Sequence, residues 1–280
     1  MASVIPISYA SKVVAADIDF LAPRDGHLFS YGYEPAAGEP PASTAFEPHR
    51  IRIRDVRYAQ SLTMDANGAA LLRAPTAVRN FYDDDELLGR YYAESAEIIG
   101  DALGARRVVV FDHNVRRGTR LELRTDRYDQ GRPVHHAHTD YTPGSAARRL
   151  GDEFGAEARE LARGHYLQVN LWRPIRAPLR DAPLAICDGA TVGAESLRSV
   201  DLRYRDRQGE IYYLTHDPAQ RWYYASEMGT DEAWLFKNFD SAPTGTGWVA
   251  PHSAFIDPTA GPAIPPRESV ELRAFAFFDG

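Results

Sequence analysis

The clearest periodic stretch of the chain lies between residues 83 and 104 and predicts a helix. Apolar side chains recur there at spacings of three and four residues, which places them on one helical face. The acidic run 83–85 supplies an N-terminal cap, and Gly104 ends the helix. A second stretch predicts a helix over about residues 145–163.

Short runs rich in β-branched and aromatic residues, separated by turns, predict strands in most of the remaining chain. These runs are 107–112, 166–172, 210–215, 222–225, 233–239 and 269–278. Short strands in succession favour a barrel or sandwich over a parallel α/β sheet. We therefore expect a mainly β fold with flanking helices.

The domain organisation follows from what lies between these elements. Residues 1–50 contain clusters of Pro, Gly and Ala and predict an irregular N-terminal extension. No stretch has the composition of a linker between domains, and no internal repeat is present. The sequence predicts a single domain over residues 1–280, with the β core over about residues 105–280.

Composition narrows the functional classes. The 280 residues carry a net charge of −7, which argues against nucleic acid as the main partner. There is no apolar run of about 18–20 residues and no signal-peptide pattern, so we expect no membrane partner. The single cysteine, Cys187, excludes an intramolecular disulfide and fits a cytoplasmic location. A small-molecule substrate is the expected partner, and a homodimer is left open.

Several common catalytic motifs are absent from the sequence. It has no dinucleotide-binding G-x-G-x-x-G after a strand, no phosphate-binding P-loop, no H-E-x-x-H and no G-x-S-x-G. Their absence directs attention to His and carboxylate side chains.

The run HHAHTDYT contains His138 and Asp140, separated by one residue. On an extended strand such residues point the same way, so the imidazole and the carboxylate can converge. They supply two of the three ligands of the 2-His-1-carboxylate site that binds non-heme Fe(II) and leaves positions open. The same pair also fits a His and an Asp that hydrogen-bond each other near a turn.

A third ligand and a cosubstrate site follow later in the chain. His252 lies 112 residues after Asp140, and Arg267 and Ser269 follow it closely. This order is that of oxygenases that depend on 2-oxoglutarate, whose far carboxylate needs the bidentate fork of an Arg and a hydroxyl. His136 as a metal ligand and His216 as the distal ligand are the alternatives, and His252 is preferred because only it precedes R-x-S closely.

The last predicted strand has two unlike faces. One face is apolar, which suits packing on helices, and the other carries arginines that need anionic partners when buried. The second face comprises Arg267, Ser269, Glu271, Arg273, Phe275 and Phe277. The anionic partner of these arginines is expected to be Glu271 or a dicarboxylate ligand.

Further residues are candidates for lining the pocket. Asn170 and Trp172 lie on one face of the strand 166–172 and are expected to touch the cosubstrate. The residues expected on the substrate side are His136, Arg221, Tyr223 and Tyr224.

Longer motifs give the chain a family resemblance over about residues 50–278. The motifs are HTDYT, NLWRPI, HDPAQRWYYASEMGTDEAWLFKNFDS, PHSAFIDP and PPRESVELRAFAFF. They resemble the family that contains gibberellin desaturase-like proteins, the cephamycin-cluster hydroxylase component and fungal hydroxylase/desaturases of secondary metabolism.

The resemblance implies a double-stranded β-helix (jelly-roll, cupin-like) core and an oxidoreductase that uses Fe(II), O2 and usually 2-oxoglutarate. It implies that His138, Asp140 and His252 hold iron, and that Arg267 with Ser269 holds the cosubstrate. Arg273 is a candidate second carboxylate clamp. The expected reaction is oxidation of an unactivated C–H bond of a small natural product or amino-acid-derived molecule, by hydroxylation, desaturation or cyclisation.

Three other hypotheses remain open from the sequence. The nearest is an Fe(II) oxidase with the same three ligands and no 2-oxoglutarate. The others are a jelly-roll metal hydrolase or isomerase, in which a divalent ion activates water, and a metal-free barrel that binds a small molecule. Replacing His138 by Ala separates the last two, because only a metal enzyme loses its activity.

Overall fold

A computed structural model describes residues 12–59, 61–119, 131–261 and 263–279. The strands are, in chain order, β1 (Val13–Leu21), β2 (Phe29–Tyr31), β3 (Phe46–Asp55), β4 (Ala69–Arg73), β5 (Arg107–Gly118), β6 (His138–Thr139), β7 (Tyr166–Pro174), β8 (Leu184–Cys187), β9 (Leu197–Arg203), β10 (Gln208–Leu214), β11 (Trp222–Tyr224), β12 (Glu232–Asp240), β13 (His252–Ala254) and β14 (Arg267–Phe277). The α-helices are α1 (Met64–Asn67), α2 (Asp84–Glu86), α3 (Tyr92–Leu103), α4 (Pro143–Phe154) and α5 (Ala158–Leu161).

The strands form two sheets. The first has nine strands in the order β1-β3-β11-β8-β13-β6-β10-β9-β2, and the second has five in the order β4-β12-β7-β14-β5. Pairing is antiparallel except for β11 with β3 and β2 with β9. Most neighbours in each sheet come from distant parts of the chain, with β9 and β10 as a consecutive pair, which is the arrangement of the jelly-roll that the resemblance implies.

The space between the sheets is filled by large side chains from both. Trp172, Trp234 and Phe236 come from the five-stranded sheet, and Ile186 and Tyr223 from the nine-stranded sheet. Because successive residues of a strand alternate between its faces, this cluster marks the inner face of each sheet. The same alternation places Asn170 on the inner face with Trp172.

The helical region was predicted well. Asp83 caps α2 through its side chain, and Gly104 ends α3 in the left-handed conformation at φ 65°. Between α2 and α3 the chain forms a π-helical turn, Leu87–Tyr91, that the sequence did not predict. The expected second helix is present as α4 and α5, and α4 begins earlier, at Pro143.

The outer face of β14 packs on the helical region as expected. Val270, Leu272, Ala274 and Ala276 are fully buried in one cluster with Ile99 of α3. The longest helices of the described residues have 12 residues, and none of these helices has the length and apolarity of a membrane span.

The expected irregular extension over residues 1–50 needs a correction. Nine residues of this region form β1, which pairs along its whole length with β3. Its even-numbered residues from Val14 to Phe20 are buried in the core of the nine-stranded sheet. Small and acidic residues weaken the apolar alternation of β1 in the sequence, and its strand partner supplies the stability that local propensity does not. Both sheets therefore include strands that precede residue 105. Residues 1–11 lie outside the described part of the chain.

Candidate active site

The sheet register brings two histidines and one carboxylate together on the inner face of the nine-stranded sheet. His138 of β6 is directly opposite His252 of β13, and their ring centroids are 4.4 Å apart. Asp140 follows β6, and its Oδ1 lies 3.5 Å from Nε2 of His138 and 4.0 Å from Nε2 of His252. One nitrogen or oxygen from each residue lies within 4.8 Å of the other two. We call these residues the His138–Asp140–His252 cluster.

Both imidazoles present Nε2 to the centre of the cluster. Nδ1 of His138 donates to the backbone oxygen of His136 at 2.8 Å, and Nδ1 of His252 donates to that of Ala250 at 3.4 Å. A carbonyl oxygen only accepts, so in a neutral imidazole these bonds keep the proton on Nδ1 and leave the lone pair on Nε2. Burial, together with neighbouring His138, lowers the pKa of His252 to about 4. A neutral imidazole is the form that binds a metal ion.

Asp140 is held by three side chains, two on its carboxylate and one on its backbone. Its Oδ2 accepts from Nδ2 of Asn170 at 2.9 Å and from Nε of Arg273 at 2.8 Å. Its backbone N–H donates to Oδ1 of Asn238 at 3.0 Å. Burial alone would raise the pKa of Asp140, but Arg273 and the two histidines of the cluster hold it well below its usual range. The carboxylate is therefore ionised, with Oδ1 directed toward the histidines.

Two β-bulges adjoin this carboxylate. The register of β12 against β7 skips Asn238, and the register of β5 against β14 skips Phe111, next to Asp112. A bulge turns the local strand direction and re-aims side chains, and bulges are common beside active sites. The first places the Asn238 amide on the Asp140 backbone, and the second places Asp112 opposite Arg273.

Arg267 and Ser269 meet in the interior, as the sequence predicted for the pair. Both are almost fully buried, and Nε of Arg267 donates to Oγ of Ser269 at 3.0 Å. Its Nη1 donates to the backbone oxygen of Ala182 at 2.8 Å, and its guanidinium carbon lies 4.8 Å from the ring of Trp172. Burial, together with the charge of Arg116, lowers the pKa of Arg267 to about 9. A carboxylate placed against this guanidinium would relieve both effects.

Arg273 lies on the same face of β14 as Arg267, as the sequence predicted, and Glu271 is among its partners. Its nitrogens donate to Asp140, Asp112 and Glu271, all of them carboxylates of the chain itself. The structure thus brings Asn170 and Arg273 to the His138–Asp140–His252 cluster, and it brings Trp172 to Arg267.

The residues expected on the substrate side are spread over different surroundings. His136 stacks on Phe46 with ring centroids 3.7 Å apart, and burial beside His135 lowers its pKa to about 3. Tyr223 lies on the inner face, where it is part of the cluster between the sheets.

The other two substrate-side candidates, Tyr224 and Arg221, do not reach the His138–Asp140–His252 cluster. Tyr224 packs on the opposite face of β11, against Phe255, and Arg221 pairs with Asp188 at 3.0 Å. His216, the alternative distal ligand, stacks on His49 with ring centroids 4.1 Å apart.

Sequence reasoning missed Asn238 and Asp112. Asn238 is 2% exposed inside a strand whose central residues, apart from Lys237, are apolar or aromatic, and an amide in such a run is the available signal. Asp112 ended a predicted strand, and only the bulge in β5 directs it toward Arg273.

The fold and the cluster together define a class of protein. Two imidazole nitrogens and one carboxylate oxygen that converge inside a jelly-roll are the donor set of non-heme Fe(II) oxygenases, which keep the remaining metal positions for substrate and oxygen. A buried Arg–Ser pair lies between the same sheets, and a guanidinium and a hydroxyl are groups that can bind a carboxylate.

Comparison with known proteins gives the family. Residues 18–277 match the family model described as an oxidoreductase/YMDC permease-like domain. The chain is 32% identical over 235 residues to "Alpha-ketoglutarate-dependent dioxygenase phiK" of a fungal species, which covers 81% of this chain and 83% of the relative. It is 29% identical over 255 residues to "Fe(II)/2-oxoglutarate-dependent dioxygenase nvfI" of Aspergillus novofumigatus, covering 88% and 90%.

A solved structure agrees with these relatives. The "iron and alpha-ketoglutarate-dependent endoperoxidase NvfI with different conformation" superposes with a TM-score of 0.86 at 25% identity, covering 97% of this chain and 100% of the other. The chain belongs to this oxidoreductase family, that of the Fe(II)- and 2-oxoglutarate-dependent dioxygenases.

Proposed function

We propose that the protein uses Fe(II), 2-oxoglutarate and O2 to oxidise an unactivated C–H bond of a small natural product. The observation that carries this proposal is the convergence of Nε2 of His138, Oδ1 of Asp140 and Nε2 of His252 inside the jelly-roll. These three donors fit Fe(II), since two imidazole nitrogens and one ionised carboxylate are the donor set that this ion takes in non-heme oxygenases.

O2 would be the oxidant, and Fe(II) with 2-oxoglutarate would activate it when bound, with two of the electrons coming from 2-oxoglutarate. The chain's part is to hold them and exclude water from the reacting C–H bond. Arg267, with Ser269, would hold the far carboxylate of 2-oxoglutarate by a charge-assisted bond. Trp172 would form one wall beside that carboxylate, because it already packs against the guanidinium.

The reaction class is drawn from hydroxylation, desaturation and oxidative cyclisation. The relatives include the NvfI endoperoxidase and also "Hydroxylase/desaturase CTB9" of Cercospora beticola, which is 31% identical over 255 residues, so this family supports different outcomes on one fold. On the substrate side we propose His136, which is two residues from His138 and packs near Tyr213, the residue opposite His138 in the sheet.

We also propose that residues 1–280 work as a single oxygenase domain in the cytoplasm. Support for one domain is that each sheet contains strands from before and after residue 105. Support for the location is that Cys187 is a buried free thiol, which suits a reducing compartment.

The test is anaerobic titration of the metal-free protein with Fe(II), with and without 2-oxoglutarate, followed by visible absorption. We expect Fe(II) to bind, and a charge-transfer band to appear only when 2-oxoglutarate is also present. His138→Ala should abolish both Fe(II) binding and the charge-transfer band. The matched control is His216→Ala, which removes an imidazole outside the cluster and should keep both.

Each other outcome contradicts part of the proposal. Fe(II) binding without the band on addition of 2-oxoglutarate would indicate an oxidase that takes its electrons from the substrate. No Fe(II) binding would refute the metal enzyme as a whole.

A further inference from the structure

The Arg273 guanidinium donates hydrogen bonds to three carboxylates. Its Nε donates to Oδ2 of Asp140 at 2.8 Å, its Nη1 to Oδ2 of Asp112 at 3.0 Å, and its Nη2 to Oε1 of Glu271 at 2.5 Å. The side chain is 12% exposed, as is that of Asp140, and that of Glu271 is 7% exposed. Each of its three nitrogens therefore already contacts a carboxylate. The contacts to Asp140 and Glu271 are largely shielded from water, whereas the Asp112 side chain is 45% exposed.

The sheet register builds this arrangement. Arg273 lies directly opposite Asn170 of β7 on one side and opposite Asp112 of β5 on the other. Directly opposed residues of neighbouring strands share a face at close range. Arg273 and Asn170 consequently reach the same oxygen, Oδ2 of Asp140, from two adjacent strands.

We propose that Arg273 is a positioning residue for the metal: with Asn170 it occupies Oδ2 of Asp140, so that the carboxylate binds iron through Oδ1 alone. This inference rests on the proposed function, because it concerns how one of the proposed ligands is held. It also assigns Arg273 to the Asp140 carboxylate and not to 2-oxoglutarate. The binding of 2-oxoglutarate is left to Arg267.

The physical reason is geometric. A carboxylate that is free to rotate can bind a metal through one oxygen or through both, and a second oxygen would take a position that the cosubstrate or O2 needs. Outer partners fix the orientation of metal ligands, and their loss typically costs about 10- to 100-fold in metal affinity. The planar fork of Arg can serve three acceptors at once, whereas the compact ammonium of Lys cannot reproduce that geometry.

The experiment measures binding of Co(II) alone to the metal-free full chain, together with its visible spectrum, which reports coordination geometry. We expect Arg273→Lys to weaken Co(II) binding by at least about 10-fold and to change the spectrum, because Oδ2 becomes available to the metal. Asn170→Ala should change both in the same direction by a smaller amount. This second variant also covers the case in which Arg273→Lys fails to fold.

A matched control is Asp231→Asn, which alters an aspartate that is paired with Arg73 and lies outside the His138–Asp140–His252 cluster. Its Co(II) affinity and spectrum should equal those of the parent protein. At saturating metal, 2-oxoglutarate affinity should be retained in Arg273→Lys.

Two results would overturn the inference: parental Co(II) affinity and spectrum in folded Arg273→Lys and Asn170→Ala, or loss of 2-oxoglutarate affinity in Arg273→Lys as its main defect. If the parent protein itself binds no Co(II), the proposed function fails first, and this outcome is distinct from failure of the positioning role.

Discussion

At the scale of single residues, the interior of the protein separates two arginines that look equivalent in the sequence. Arg267 donates to a hydroxyl and a backbone oxygen, which are neutral acceptors, and burial lowers its pKa to about 9. Arg273 is surrounded by carboxylates, and although burial opposes its charge, Asp140 and Glu271 raise its pKa well above the usual value. The first is suited to receive a ligand carboxylate, and the second already has protein partners.

We predict that Arg267→Lys lowers the affinity for 2-oxoglutarate by about 10- to 100-fold, since hydrogen bonds to charged groups contribute about 1.5–3 kcal/mol. Lys retains the charge but loses the fork that holds Ser269 and the Ala182 carbonyl together. The measurement is titration of the Fe(II)-loaded protein with 2-oxoglutarate. Arg163→Lys, at an exposed ion pair with Glu160, is the control. An unchanged affinity in Arg267→Lys would remove this residue from the proposed cosubstrate site.

At the scale of elements, β14 serves two purposes through its two faces. Its inner face carries Arg267, Ser269 and Arg273, and its outer face packs on the region of α3. The outer face is apolar and fully buried, so it fixes the strand against the helix while the inner residues contribute to the site. Stability and chemistry therefore depend on alternate residues of one strand.

This division predicts the effect of a change in α3. Ile99 is fully buried against the outer face, so Ile99→Ala should lower the free energy of unfolding by about 2–5 kcal/mol. Ile98→Ala, at the neighbouring and only partly buried position, should cost clearly less. Urea unfolding measures both. The Fe(II) affinity of the folded protein should stay at the parental value, and a large fall in it would show that the outer packing also shapes the site.

At the scale of the whole molecule, a paired Arg and Glu connect the two sheets. Arg57 follows β3 of the nine-stranded sheet, and its two terminal nitrogens contact the two carboxylate oxygens of Glu232 of β12 at 2.8 and 2.6 Å. The hydrogen bond from Arg57 lowers the pKa of Glu232, although partial burial opposes the shift. The pair is partly exposed, so we expect it to contribute only about 1 kcal/mol.

The sign of the pKa shift gives a pH dependence. Because the folded pKa of Glu232 is below its unfolded value, the ionised carboxylate stabilises the fold at neutral pH, and this contribution is lost as the pH falls through the folded pKa. The difference in unfolding free energy between the parent and Glu232→Gln should be present at pH 7, begin to fall near the usual pKa of Glu at about 4.3, and disappear only below the lowered folded pKa. Urea unfolding across this range tests it, with Glu160→Gln as an exposed control. A difference independent of pH would assign the effect to packing instead of charge.

The sequence alone predicts those elements of the fold that a local pattern of residues encodes. The helix that ends at Gly104, the strand runs and the two faces of the last strand are local patterns, and the structure contains all of them. The strand β1 and the paired histidines of β6 and β13 depend on partners far away in the chain. β1 has nine residues, β6 has two and β13 has three, and their local apolar pattern is weak. Pairing with partner strands therefore decides where these strands lie.

The sequence by itself determined which residue types were available for chemistry: a His and an Asp two positions apart, a distal His, and Arg-x-Ser after it. The tertiary structure decided that His252 and not His216 meets that pair, because register places His252 directly opposite His138. It also decided that Asn238 and Arg273 hold Asp140, through a bulge in one strand and cross-strand pairing in another. The physical reason is that residue identity is encoded locally, whereas the contacts of a buried side chain depend on strand pairs formed between distant segments.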